Sequence, residues 1–69
     1  LIITGMQTEY CVDTACRAAA ALGYKVSLVE DAHTTFDSKA LPAERIVAHH
    51  NATLRGAFVE LVTSDKVAF

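Results

Sequence analysis

Apolar and polar positions follow two kinds of pattern along the 69-residue chain. Three short segments, at residues 1–4, 24–30 and 58–62, are rich in apolar and β-branched residues, which is typical of buried strands. Two longer segments between them repeat apolar residues at helical spacing. The chain is therefore predicted to fold in the order strand, helix, strand, helix, strand.

The ends of the two helices are marked by residues with strong positional preferences. Thr8 is the expected N-cap of the first helix, which runs through an alanine-rich stretch to Leu22. Gly23 is expected to end this helix in the left-handed conformation. Pro42 suits the first turn of the second helix, and Gly56 is its expected stop.

The remaining segments are predicted to connect these elements. Gly5 is expected to end the first strand, residues 31–38 to form a polar loop, and residues 64–69 to form a short helix or turn. Asp31 opens the polar loop. Its carboxylate could brace the loop that precedes the first helix, although ordinary turn chemistry explains an aspartate there equally well.

Alternating strands and helices predict an α/β fold, with a parallel sheet between helices in three layers. Such a sheet needs helices on both faces and neighbours for its edge strands. Three strands and two helices do not meet that need, so we expect residues 1–69 to be part of a larger domain. Leu1 already lies within a predicted strand, and the native N-terminus is therefore expected to lie upstream.

Composition excludes several classes of partner. The chain is 52% hydrophobic and 20% charged with a net charge of −2, as in globular proteins, and its six Lys and Arg residues are scattered singly. This distribution offers no surface for nucleic acid. No apolar run approaches the roughly 18 residues of a membrane span.

Two cysteines form no disulfide framework, and their usage favours a reducing, cytoplasmic compartment.

The segment GMQTEYC, residues 5–11, places a cysteine where a strand gives way to a helix. In parallel α/β sheets the functional loops gather at the carboxyl ends of the strands. Free backbone N–H groups and the helix dipole in the first turn favour a thiolate, which is the nucleophilic form of cysteine. Burial of Cys11 is the alternative, because cysteine is among the most buried residue types. Cys16 would point about 140° away from Cys11 on a helix and is expected in the core.

The ordered series GMQTEYCV, an alanine-rich helix, LGYKV and VEDAHTTF resembles the C-terminal part of the isochorismatase-like cysteine hydrolases. This superfamily contains nicotinamidases and N-carbamoylsarcosine amidohydrolase. The similarity continues through LPAERIVAHHNATL and covers nearly the whole chain. It implies a Rossmann-like isochorismatase-like hydrolase fold, of which residues 1–69 would form the C-terminal βαβαβ segment of a single domain.

The resemblance also implies a catalytic role for Cys11. In this family the matching cysteine attacks an amide or related carbonyl carbon, and water hydrolyses the resulting thioester. The backbone N–H groups of Gln7 and Cys11 would form the oxyanion hole, and the Met6–Gln7 peptide bond would be cis. Tyr10 would either line the pocket of the small-molecule amide substrate or pack at a subunit interface of a homo-oligomer.

The family's catalytic aspartate and lysine cannot be assigned in this sequence. Both lie upstream of the cysteine in the family, whereas every Asp and Lys in this sequence follows Cys11. The 69-residue chain alone is therefore expected to be inactive. No cofactor is implied, and His33, His49 and His50 do not have the spacing of a metal site.

The sequence is also compatible with two alternative functions. One is a non-catalytic α/β assembly module in which Cys11 is merely buried. The other is hydrolysis of the isochorismate vinyl ether, although enzymes of that type typically lack the cysteine. The Met-Gln-Thr-Glu-Tyr form of the loop resembles that of streptothricin-type lactam hydrolases more than that of nicotinamidases.

Overall fold

A computed structural model describes residues 1–67, which fold into a three-stranded parallel sheet with two α-helices. The strands are β1 (Ile2–Met6), β2 (Ser27–Thr34) and β3 (Glu60–Val62), and the helices are α1 (Asp13–Ala21) and α2 (Ala43–Leu54). The strands lie in the order β1, β2, β3, and both neighbouring pairs are parallel. The predicted α/β class and the predicted order of elements are confirmed.

Both helices pack against the same face of the sheet. Ile3, Leu28 and Leu61 are in register across the three strands and belong to the apolar cluster that the helices cover. The buried members of this core are Val12, Cys16, Ala19, Val26, Leu28, Leu54 and Val59. Residues 1–67 therefore form two of the three predicted layers.

The first strand and the first helix differ from their predicted limits. β1 continues through Gly5 to Met6, and its register with β2 shifts between Ile3 and Gly5, so Gly5 does not end the strand. Gly5 has a φ of 110°, a conformation that L residues rarely adopt and glycine tolerates. A separate π-helical turn, Thr8–Val12, precedes α1, and the Thr8 side chain does not cap a helix.

The polar segment after the second predicted strand is largely strand as well. β2 begins at Ser27 and extends through Thr34, so the predicted loop at 31–38 is wrong for its first four residues. Buried His33 and exposed Thr34 continue the strand alternation, as do buried Thr35 and exposed Phe36 just beyond it. The polar composition concealed this strand because its buried side chains are hydrogen-bonded rather than apolar.

The other boundaries lie near their predicted positions. Gly23 has a φ of 88° after α1, as expected for a helix stop. Pro42 lies just before α2 rather than in its first turn, and the Asp37 carboxylate accepts a hydrogen bond of 2.7 Å from the N–H of Ala43. Ser64–Lys66 form the predicted turn, whereas positions 68 and 69 of that prediction lie outside the described residues. Neither helix among residues 1–67 is long and apolar enough to cross a membrane.

Candidate active site

The turn that follows β1 carries the predicted nucleophile. We refer to residues Thr8–Val12 as the Cys11 turn; it is π-helical and leads directly into α1. The carbonyl of Gln7 accepts hydrogen bonds from the N–H groups of Tyr10 and Val12, both at 3.1 Å. The Met6–Gln7 peptide bond, for which the family resemblance implies a cis geometry, is cis. Gln7 and Cys11 thus lie at the start and near the end of one compact turn.

Side chains of the Cys11 turn divide between the core and the solvent. Thr8 and Val12 are buried, whereas Cys11 is exposed and Tyr10 has 64% of its surface exposed. An open depression on the protein surface is lined by Glu9, Tyr10, Cys11, Thr14, Ala15 and Ala18. The alternative of a buried Cys11 is therefore wrong within residues 1–67, where its thiol is accessible to a small molecule.

A chain of hydrogen bonds, buried at one end and part-buried at the other, joins the Cys11 turn to β2 and α2. Thr8 Oγ1 lies 2.8 Å from His33 Nδ1, and His33 Nε2 lies 2.6 Å from Asn51 Oδ1. Asn51 Nδ2 in turn donates to the carbonyl of Glu30 at 3.2 Å. Thr8 and His33 are 0% and 5% exposed, so these groups exchange hydrogen bonds with each other rather than with water. We call this chain of groups the Thr8 relay.

The donors and acceptors of the Thr8 relay have one consistent arrangement with a neutral imidazole. Asn51 donates from its nitrogen to Glu30, and its oxygen therefore faces His33 and needs a donor. His33 supplies the Nε2 proton, which leaves Nδ1 as an acceptor for the Thr8 hydroxyl. Each member is satisfied, which is the condition under which a buried polar network favours a single conformation.

A second hydrogen bond holds the next residue of the turn. Thr35 Oγ1 donates to Glu9 Oε1 at 2.5 Å. This bond is the main reason why the pKa of Glu9 lies below its ordinary value. His33 and Thr35 are two residues apart on the same side of an extended chain, so they hold the consecutive residues Thr8 and Glu9.

The two cysteines have opposite surroundings. Both are free thiols, but Cys11 is exposed whereas Cys16 is completely buried against the sheet. Burial raises the pKa of the Cys16 thiol, and the charge of Asp13 adds to this effect. The prediction that Cys16 belongs to the core is confirmed, and Cys16 is not a second reactive group at the Cys11 turn.

The remaining residues considered from the sequence bond to groups other than Cys11, although His50 Nε2 lies 3.7 Å from Oδ2 of Asp13, two residues after Cys11. Asp31 accepts hydrogen bonds from the N–H and hydroxyl of Ser64 at 2.8 and 2.7 Å, so it braces the turn after β3 and not the Cys11 turn. His50 contacts the carbonyl of Ile46 through Nδ1. Within residues 1–67 no group of three His, Cys, Asp or Glu residues is arranged to hold a metal ion.

The sequence interpretation missed His33, Thr35 and Asn51 as neighbours of the site. His33 was assigned to a polar loop and considered only as a metal ligand, whereas the structure places it in β2 beside Gly5. Burial alternates with period two at positions 33–36, but the residues His-Thr-Thr-Phe show no matching alternation of apolar and polar side chains, so no sequence signal marks this part of the strand. Asn51 had no local signal, because its partner lies 18 residues away in the chain.

Comparison with protein families gives a match over almost the whole chain. The family model described as the isochorismatase domain matches residues 1–66. An uncharacterized isochorismatase family protein of Bacillus subtilis strain 168, YddQ, is 32% identical over 69 residues. That match covers 94% of this chain and 38% of YddQ.

Two further comparisons agree with this match. Streptothricin hydrolase of Streptomyces noursei is 43% identical over 42 residues, which cover 61% of this chain and 15% of that enzyme. A crystal structure of an isochorismatase family protein superimposes with a TM-score of 0.86 and 40% identity, over 91% of this chain and 38% of that one. The chain thus spans less than two fifths of the length of each of these relatives.

Proposed function

The chain belongs to the isochorismatase family, and from this premise we propose that it carries the nucleophile of a cysteine hydrolase that cleaves non-peptide C–N bonds. The observation that carries the proposal is the exposed Cys11 thiol in a compact turn at the carboxyl end of β1. This edge is where parallel α/β sheets bind their ligands. The exposure of Cys11 supports this proposal over an assembly module with a buried Cys11.

The proposed reaction proceeds through a thioester. The Cys11 thiolate attacks the amide carbonyl carbon, a C–S bond forms, and the carbonyl π electrons move to oxygen. Collapse of this tetrahedral intermediate breaks the C–N bond and releases ammonia or an amine, which takes up a proton. Water then attacks the thioester carbonyl, breaks the C–S bond and yields the carboxylic acid with the thiol restored.

The Cys11 turn would stabilise the charge that develops on oxygen. We assign the two oxyanion donors to the backbone N–H groups of Gln7 and Cys11. Support comes from the Gln7 carbonyl, which binds two N–H groups of the same turn and so restricts the Gln7 backbone. Donors of this kind are effective because they need no reorganisation during the reaction.

Tyr10 is proposed to contact the substrate. Its side chain is exposed and lines the same depression as Cys11, beside small alanine side chains of α1. An aromatic ring at the rim of an open depression can cover an apolar part of a ligand. Streptothricin is the first substrate to test, because the relative from Streptomyces noursei is named as its hydrolase.

The base for the thiol would come from outside residues 1–69. We propose that these residues form the C-terminal part of one hydrolase domain, whose upstream part supplies the aspartate and lysine that the family resemblance implies. We further propose a cytoplasmic homo-oligomer. Two free thiols in residues 1–67 and exposed apolar side chains such as Tyr24, Phe36 and Leu41 support these assignments.

Replacement of Cys11 in the full-length protein tests the proposal. Cys11→Ala is expected to abolish hydrolysis of streptothricin, nicotinamide or whichever amide the wild-type protein cleaves. Cys16→Ala is the matched control, because it removes the buried thiol and is expected to leave turnover in place. Turnover by Cys11→Ala at the wild-type rate would refute the cysteine mechanism. Cleavage of isochorismate by both proteins would instead identify a vinyl ether hydrolase.

A further inference from the structure

The buried Thr8 relay has no explanation in packing alone. Thr8 and His33 are buried side by side and Asn51 is half-buried beside them, where apolar side chains of similar volume would have filled the space. Buried hydrogen-bonded groups contribute little net stability, because the free energy cost of their desolvation offsets most of the free energy gained from the hydrogen bonds. What a fully satisfied network does provide is one defined geometry.

The geometry that the relay defines is that of the Cys11 turn. Thr8 immediately follows Gln7 and lies three residues before Cys11, so it is between the two proposed oxyanion donors in the chain. Its hydroxyl is fixed by His33 of β2, and His33 is fixed in turn by Asn51 of α2. The turn is thereby attached to β2 through Thr8 and His33, which are almost completely shielded from water, and to α2 through the half-buried Asn51.

The bond from Thr35 to Glu9 extends the same attachment. Glu9 is half-buried, and its carboxylate accepts a hydrogen bond of 2.5 Å from the hydroxyl of the buried Thr35. Two consecutive side chains of the turn are thus bound by His33 of β2 and by Thr35 just beyond its end. A pair of such bonds restricts rotation of the turn as well as its distance from the sheet.

On these observations we propose that His33 is a positioning residue, which sets the geometry of the Cys11 turn through Thr8 and is itself oriented by Asn51. This inference rests on the proposed function, since it assigns to the relay the placement of the nucleophile and of the oxyanion donors. His33 does not touch the reacting atoms. Its loss is expected to lower kcat with little change in KM, because the donors act mainly in the transition state.

The test compares three threonine variants of the full-length protein. Thr8→Val removes the hydroxyl with nearly the same shape, and Thr8→Ser restores it. Thr53→Val makes the same chemical change at an exposed position on α2, outside the relay. The probe is p-nitrophenyl acetate, whose acetyl group would pass to Cys11 with release of p-nitrophenolate and then to water as acetate.

The expected result is a loss of kcat by roughly tenfold to a hundredfold in Thr8→Val, as for small displacements of catalytic groups. Thr8→Ser and Thr53→Val are expected to retain most of the wild-type kcat. Asn51→Ala tests the other end of the relay. Asn51 is half-buried on α2 and alanine has a high helix propensity, so this substitution should leave the helix intact. Like Thr8→Val, the Asn51→Ala variant is expected to have a lower kcat than the wild type.

Protection of Cys16 from iodoacetamide reports whether each variant is folded, because this thiol is completely buried in the native structure. A Thr8→Val or Asn51→Ala protein that keeps Cys16 protected and has the wild-type kcat would overturn the inference. The same would follow if Thr8→Ser failed to restore kcat. Cys11→Ala separates this result from the proposed function: its inactivity beside a fully active Thr8→Val protein would reject the relay alone.

Discussion

Cys11 and Cys16 lie only five residues apart, and Cys11 is exposed to solvent while Cys16 is completely buried. The division arises because Cys11 lies in the π-helical turn before α1 and Cys16 lies on the face of α1 that packs against the sheet. One short segment thus holds an accessible thiol and a protected one. Each serves as the internal reference for the other.

The first prediction concerns selective alkylation. In the full-length native protein, iodoacetamide is expected to modify Cys11 and to leave Cys16 unmodified, since burial raises the pKa of Cys16 and excludes the reagent. Peptide mass spectrometry measures both sites in one sample. Denaturation should make both thiols reactive. Equal labelling of the two cysteines in the native protein would contradict the structure.

Local signals allowed much of the fold to be predicted, but not the surroundings of Cys11. Gly23 and Pro42 mark helix boundaries through their own backbone preferences, and both lie at or beside the expected positions. His33 was missed because a buried histidine in a strand needs partners from distant segments, and no local pattern reveals them. Thr8 was read as a cap for the same reason, since its partner is 25 residues away.

A second prediction concerns the core between α2 and the sheet. Leu54→Ala in the full-length protein is expected to lower the free energy of unfolding by about 2–5 kcal/mol, because Leu54 is completely buried and its loss leaves a cavity. Leu22→Ala is the matched control. Leu22 is 78% exposed, so its truncation should change this free energy by less than about 0.5 kcal/mol. Urea denaturation measures both, and equal losses would argue against the described core.

A third prediction concerns Asp31 and pH. Hydrogen bonds from the hydroxyl and the N–H of Ser64 lower the pKa of Asp31 from its ordinary value of 3.8. A lowered pKa in the folded state means that the stabilisation is present above pH 3.8 and is lost as the pH falls through the folded-state value. Asp31→Asn should therefore be less stable than the wild type at pH 7, and the difference should shrink in acid.

Ser64→Ala is the control for this pH dependence. It removes the hydroxyl donor and keeps the N–H donor, so the pKa of Asp31 should lie between its wild-type and ordinary values. NMR titration of the Asp31 carboxyl group measures the pKa directly. A wild-type value at or above the ordinary one would show that the Ser64 bonds do not form.

A fourth prediction compares two glycines with a positive φ. Gly5 and Gly56 have φ values of 110° and 79°, and a Cβ at either position would meet no atom within 4 Å. Alanine should therefore cost backbone strain at both, about 1–3 kcal/mol each, without a clash. Only Gly5 lies in β1 next to the Cys11 turn. Gly5→Ala should lower kcat with p-nitrophenyl acetate, whereas Gly56→Ala should lower stability alone. Equal kcat values for the two variants would show that the conformation of Gly5 does not affect the active site.

The last prediction concerns a polypeptide of residues 1–69 expressed alone. Every Asp and Lys of this sequence follows Cys11, so none takes the upstream place of the base that the family resemblance implies. The sheet face opposite the helices also has an open depression lined by Ile2, Thr4 and Ala32, among others. An uncovered parallel sheet is unstable in water, because both of its faces are normally packed.

We therefore expect this polypeptide to show no Cys11-dependent hydrolysis of p-nitrophenyl acetate above the rate of free cysteine, and to leave Cys16 open to iodoacetamide. The full-length protein, assayed at the same thiol concentration, is the control and should differ in both respects. Two outcomes distinguish the causes. A protected Cys16 without turnover would show that residues 1–69 fold but lack a base, whereas turnover that Cys11→Ala abolishes would show that the base lies within these residues.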